Sequence, residues 1–213
     1  MSEQMRAAWS RRTDEELLHA FFLEELSSSG RTVVRQLVVE KVGSIDTYVS
    51  SFEREQGELV AAIPVRGCEV DDAPAMWGHL VLTTKGIGFV PQGAEQSLAH
   101  ELASDFASYS LDLFSGKILE TLLEPAPAPA PRALPAALAV PLPLLAAIQP
   151  SAAWIRHDQI QQILCSPDFL EVIREGERVL CASPAVDADV VVTSWAEAHD
   201  IDLVAIDPAP FMR

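Results

Sequence analysis

Hydrophobic spacing divides the chain into helix-like, strand-like and extended stretches. Thr13-Asp-Glu-Glu16 reads as a capping box, in which Thr13 accepts from the third amide and Glu16 reaches back. Leu17, Leu18, Phe21, Phe22 and Leu26 follow on one broad helical face, and Ser27-Ser-Ser-Gly30 is expected to end that helix. The valine-rich stretch RTVVRQLVVEKVG leans to a strand by β-propensity, although Val34, Leu37, Val38 and Val42 also fit helical spacing. A turn at Gln56-Gly57 leads into a strand, and Asp71, Asp72 and Pro74 mark a loop. Over 77–93 the period is two: His79, Val81 and Thr83 alternate with Leu80, Leu82 and Thr84. Lys85-Gly86 then supplies a turn, and Ile87 and Phe89 return as the second arm of a hairpin.

The period changes after residue 93. Leu98, Leu102, Phe106, Tyr109 and Leu113 recur every three or four residues and predict an amphipathic helix over 94–123. Phe114, Ile118 and Leu122 continue on a neighbouring face beyond a break at Ser115-Gly116. Prolines at 125, 127, 129 and 131 alternate with alanine and predict a stiff extended linker. The next stretch, 133–148, is apolar enough to pack against something. Further on, AAWIRHDQIQQILCS reads as a strand with Ile155, Ile160 and Ile163 facing inward. Ser166-Pro-Asp168 gives a turn and Glu175-Gly176 a hairpin. A terminal helix starts at Asp187 or Asp189, with Val191, Val192, Trp195 and Ala198 inward. The implied organisation is an N-terminal helix and extension (1–51), the front of a β-domain (52–92), an inserted helix and Pro/Ala linker (93–150), and the back of the β-domain (151–213).

Charge narrows the partner class. With 31 acidic and 15 basic residues the 213-residue chain carries −16, which disfavours phosphate backbones and anionic lipid and suits a basic protein neighbour. No uninterrupted apolar run reaches membrane-span length, and no apolar signal core opens the chain, so a soluble cytoplasmic protein is expected. Cys68, Cys165 and Cys181 are far apart and form no CxxC pair, which argues for reduced thiols and against a thiolate zinc site.

Phosphate and catalytic motifs are incomplete. Lys85 precedes Gly86 rather than following a P-loop glycine, and no hydroxyl comes next. Gly86-Ile-Gly88 lacks the third glycine of the dinucleotide fingerprint, so Gly86 reads as a turn residue and Gly88 as a strand position tolerant of close approach. His19, His79, His100, His157 and His199 are scattered. The adjacent pairs His157-Asp158 and His199-Asp200 and the neighbours His100-Glu101 match no metal or acid–base motif. Ser194 lies in VTSWA, which is not a nucleophile elbow. No cofactor or metal ligand set is assigned.

The stretch GELVAAIPVRGCEVDDAPAMWGHLVLTTKGIGFVP resembles the front of GRAM and pleckstrin-homology-like domains. Gly78, Leu80, Leu82, Thr83 and Phe89 stand where that family carries a G-x-L-x-L-T hairpin with a following aromatic, one residue more than usual apart. Ile155, Ile160, Ile163, Phe169, Val172, Val179 and Trp195 fill positions of the family's back half, so the resemblance covers about 52–91 and 152–200. It implies an α+β fold: a curved antiparallel sheet or split barrel closed by a C-terminal helix, here with an N-terminal helix and an insertion. The implied function is binding of protein or lipid. Lipid-binding members cluster basic residues on early loops, whereas Arg54, Arg66 and Lys85 stand here among acids. The expectation is a non-enzymatic interaction module that docks a protein partner, or a second copy, through Leu98, Leu102, Phe106, Tyr109 and Leu113 and the apolar 133–148 segment. A small hydrolase-like enzyme with a hidden His/carboxylate site, or a lipid-associated GRAM-like module, are the alternatives.

Overall fold

Four helices open the chain in the computed structural model, which describes residues 3–71, 73–94 and 140–206. They are α1 (Glu3–Trp9), α2 (Asp14–Leu23), α3 (Ser28–Val42) and α4 (Ile45–Gln56). The capping box at α2 forms as expected: Glu16 N–H donates to Thr13 Oγ1 at 3.2 Å and Thr13 N–H to Glu16 Oε2 at 2.8 Å. The valine-rich stretch is helix, not strand, and Ser27 begins it rather than ending the previous one. Ser27 Oγ accepts from the Gly30 amide at 3.2 Å, the third-amide geometry of an N-cap. Val33, Val34, Leu37 and Val38 are buried together on one side of α3, so packing outweighs their β-propensity.

Among the described residues eight strands form one mixed sheet: β1 (Leu59–Val70), β2 (Met76–Thr83), β3 (Gly86–Ala94), β4 (Ala153–Arg156), β5 (Gln162–Ser166), β6 (Phe169–Arg174), β7 (Glu177–Pro184) and β8 (Asp202–Ala205). Their order is β4-β3-β2-β1-β7-β6-β5-β8, antiparallel throughout except that β8 runs parallel to β5. The chain is therefore α+β. Long β1 serves both halves of the sheet. It pairs with β2 from Leu59 to Cys68 and with β7 from Val65 to Val70, with a register shift around Arg66-Gly67. The hairpins predicted at 77–93 and at Glu175-Gly176 both form. Glu175 and Gly176 have φ of 54° and 82°, the paired positive values that a two-residue turn needs to follow strand twist.

The 152–166 stretch corrects another expectation. It is two strands, β4 and β5, separated by a 3-10 turn at His157–Gln159, although Ile155, Ile160 and Ile163 all enter one core. This connection fixes the shape of the sheet. Six strand spacings lie between β4 and β5, roughly 29 Å if the sheet were flat. The chain from Arg156 to Gln162 reaches at most about 21 Å. The sheet must curl, and it does so without hydrogen bonds joining β4 to β5.

Two cores result, one on each face. The first holds Leu80, Leu82, Ile87, Phe89, Leu170 and Leu180 under a helix α6 (Asp189–Ala198). The inward face of α6 is Val192, Trp195 and Ala196, whereas Val191 and Ala198, expected inside, are exposed. A run of valines does not fix helical phase; the burial of Trp195 does. The second core lies on the opposite face, where Val81 and Val90 meet the helical layer. Its centre is a short helix α5 (Leu142–Ile148), which touches α2 and α4 on one side and β3 and β4 on the other. Leu142, Leu144 and Leu145 are fully buried there. The described part of the apolar 133–148 segment thus belongs to the chain's own core. The predicted helix carrying Leu98, Leu102, Phe106, Tyr109 and Leu113 lies outside the described residues.

Truncating Leu145 to Ala should cost about 2–5 kcal/mol, the range for a fully enclosed leucine. Chemical denaturation should show it as one cooperative loss of both layers. A cost under about 1 kcal/mol would mean that α5 is not holding helices to sheet.

Candidate functional site

The β2–β3 turn, whose lysine and glycines suggest phosphate binding at first sight, is a structural junction. Thr83 Oγ1 donates to the Gln56 carbonyl at 2.6 Å and accepts from the amides of Lys85 and Gly86, both at 3.1 Å. That uses the hydroxyl's one donor and two acceptor positions. Lys85 Nζ donates to the Arg54 carbonyl at 3.0 Å, a cation at the negative end of α4. The turn amides are thus engaged internally. Gly86 is needed for close approach rather than for a positive φ, because a Cβ there would meet the Ile155 carbonyl and the Trp154 ring.

Two histidines converge on the same turn. His157 and His199 lie edge to face with ring centroids 5.1 Å apart, and Trp195 stacks on His199 at 4.7 Å. Trp195 Nε1 donates to the Thr83 carbonyl at 2.7 Å. His199 Nδ1 is 2.7 Å from the Trp195 carbonyl and its Nε2 3.1 Å from the Thr84 carbonyl, while His157 Nδ1 is 3.0 Å from the Lys85 carbonyl. With both nitrogens against backbone oxygens, His199 has no lone pair directed at an incoming group, which a general base requires. Asp158 pairs with Arg156, not with His157. His19 lies at the surface, 3.4 Å from Glu24, and His100 is outside the described residues.

His79, Cys68 and Cys165 are buried, and Cys181 is half-buried near Cys68. His79 is 5 % exposed on β2, its Nδ1 has no partner among the described residues, and burial holds its pKa below the ordinary histidine value. Burial pushes Cys165 up to about 11, with Asp189 and Asp187 adding to it, and raises Cys68 further still. Cys181 is raised by burial against the opposing pull of Arg178. None of these thiols has the lowered pKa of a nucleophile. Among the described residues no three His, Cys, Asp or Glu side chains gather as a metal-binding group, and no helix is long and apolar enough to cross a membrane.

The outer face of α3 has a different character. A cleft of about 500 Å³ runs between α2, α3 and α4, with half-buried Phe21 and Ile45 as its apolar walls and Arg31 and Arg35 beside them. A second depression adjoins it across Thr32 and Arg35 and reaches Arg6 and Val39, whose side chain is 41 % exposed. Three other cations of this layer are paired: Arg6 with Glu40 at 2.6 Å, Lys41 with Asp14 at 2.8 Å and Arg12 with Glu16 at 3.6 Å. Arg31 and Arg35 have no carboxylate within ion-pair distance among the described residues, although Asp46 stands on the rim. They are four apart on a helix, so the two like charges repel by about 0.2–0.5 kcal/mol. Sequence reasoning missed this pair. Its signal is the Arg31–Arg35 spacing beside Thr32 and Gln36, which forms a stripe only when 28–42 is helical.

No family model, curated protein or solved structure matches the chain.

Two outcomes test these environments. Thr83→Val should destabilise the fold by about 1–3 kcal/mol, because the carbonyl and amides that Thr83 satisfies would be left unpaired. Urea unfolding measures it, and a neutral result would remove the turn's role as a junction. For His79 the folded state binds fewer protons than the unfolded state. Its contribution is therefore complete above about pH 6.5 and declines as pH falls below that value. Between pH 7.5 and 5.5 the wild type should lose more stability than His79→Leu; equal losses would contradict a buried neutral ring.

Proposed function

We propose that the protein is a non-enzymatic, cytoplasmic interaction module that docks a protein partner. The observation that carries this reading is the α3 cleft, where partly exposed apolar side chains adjoin two arginines that have no carboxylate at ion-pair distance among the described residues. Such a mixture of apolar anchor and guanidinium is what protein interfaces concentrate at their energetic centres. A GRAM or pleckstrin-homology-like frame is part of the proposal. It is supported by the order of the first seven strands, in which β7 returns onto β1 while β4 and β5 do not pair with each other, and by α6 packing over the core between them. The engagement of Lys85 by α4 favours a protein partner over a lipid headgroup, since it removes a cation from the early loops.

The amphipathic stretch with Leu98, Leu102, Phe106, Tyr109 and Leu113 supplies the second docking element of this reading, either toward a partner or toward another copy. Burial of 142–148 in the helical layer leaves that part of the apolar segment with a core role instead.

Affinity capture from native lysate, quantified by mass spectrometry, tests the proposal. The wild type should retain a reproducible partner, and a Leu102→Asp/Phe106→Asp double variant should lose it by about tenfold or more, as expected for removal of apolar anchors. Its melting temperature should not change. Undiminished capture, no partner at all, or a lowered Tm that assigns these residues to the core would overturn it.

A further inference from the structure

We infer that the α3 cleft takes an acidic helical segment of a protein partner, with carboxylates one turn apart on Arg31 and Arg35 and an apolar side chain against Phe21 and Ile45. This rests on the interaction-module reading and adds the chemistry of the partner. It also reverses the expectation from net charge, under which a basic partner is the natural neighbour of a −16 chain.

Local charge carries the inference. Arg31 and Arg35 are separated by four residues of one helix, an axial distance of about 6 Å. Carboxylates at i and i+4 on a docking helix have that same spacing. Each guanidinium offers a planar fork that a carboxylate accepts in two-point fashion. Binding would relieve the repulsion between the arginines. The amino-terminal end of α3, capped by Ser27, lies on the Arg31 side and adds a partial positive charge there. Asp46 on the opposite rim sets polarity, because it turns an acidic group toward α3 and away from α4.

A narrow occupant fits better than a broad one. An anionic membrane or a nucleic-acid duplex would extend past the two arginines onto Asp46 and Glu40, which line the cleft and the adjoining depression, and repulsion there would oppose it. A single helix touches little more than the cleft.

Fluorescence anisotropy tests the inference with the full chain and two labelled amphipathic peptides. One carries Glu at i and i+4 beside a Leu/Phe face; the other carries Lys in place of Glu. The Glu peptide should bind the wild type, and an Arg31→Glu/Arg35→Glu variant should weaken it by about tenfold or more. The Lys peptide should prefer that variant. Because both positions are exposed, the variant should melt as the wild type does; if it does not fold, Arg31→Gln/Arg35→Gln takes its place. Absence of Glu-peptide binding, equal binding to wild type and variant, preference of the wild type for the Lys peptide, or displacement of the Glu peptide by phosphatidylserine vesicles would each overturn the inference. A lysate partner that survives Arg31→Glu/Arg35→Glu would sink the acidic-segment inference and leave the module reading standing, whereas failure to capture any partner would sink the module reading itself.

Discussion

Burial of α5 is the constraint on which the two layers depend. Seven apolar residues cannot sustain a helix in water, since nucleation costs more than so few hydrogen bonds return. Leu142–Ile148 is helical because β3 and β4 cover it on one side and α2 and α4 on the other. Its N-cap, Pro141, has no side-chain acceptor, and the Leu142 amide donates instead to Gln56 Oε1 at 2.6 Å. Gln56 ends α4, so the position of α4 and the formation of α5 are linked through one hydrogen bond. Gly88 enters the same coupling, because a side chain there would press on Leu142. The sheet beneath is consequently buried on both faces at β2, with Leu80 and Leu82 in one core and Val81 in the other.

Polar satisfaction joins the same parts by a second route. Gln56 offers its carbonyl to Thr83 and its side chain to α5, so a single residue at the end of α4 contacts the hairpin and the helical core. On the far side of that hairpin, Trp195 and His199 reach the Thr83 and Thr84 carbonyls from α6. One β-turn thus ties a helix on one face of the sheet to a helix on the other. Buried networks of this kind stabilise only while every member is paired, which explains why a turn with glycines and a lysine has no amide left for a phosphate.

What the sequence made legible was turn chemistry and capping. Thr13-x-x-Glu16, the 77–93 hairpin and Glu175-Gly176 each carry a local reason for their conformation, and each forms. Failures fall where the deciding interaction is distant. Ser27-Ser-Ser-Gly30 contains signals both for stopping one helix and for starting another, and the valines after it favour strand locally; burial against α2 and α1 selects helix. Ile155, Ile160 and Ile163 read correctly as inward, but spacing along the chain does not reveal that the first sits at one edge of the sheet and the last six strands away. Strand β8 was invisible for a related reason: the apolar run Leu203-Val204-Ala205 is too short to declare a strand by itself and becomes one by pairing with β5. The arginine pair on α3 depended on the helix assignment, so that one wrong element hid the candidate site.

Net charge and local charge act over different distances, which reconciles an acidic chain with a cationic cleft. At physiological ionic strength the screening length is about 8 Å. A partner that comes within about a screening length of any part of the surface meets the field of many charges at once, whose balance of −16 biases how often it approaches. At contact, the fixed charges that line the cleft are Arg31, Arg35 and Asp46. The residues that set encounter are therefore not those that set the complex. Composition gives the first kind of information, and only the fold, by turning a valine-rich stretch into a helix, gives the second.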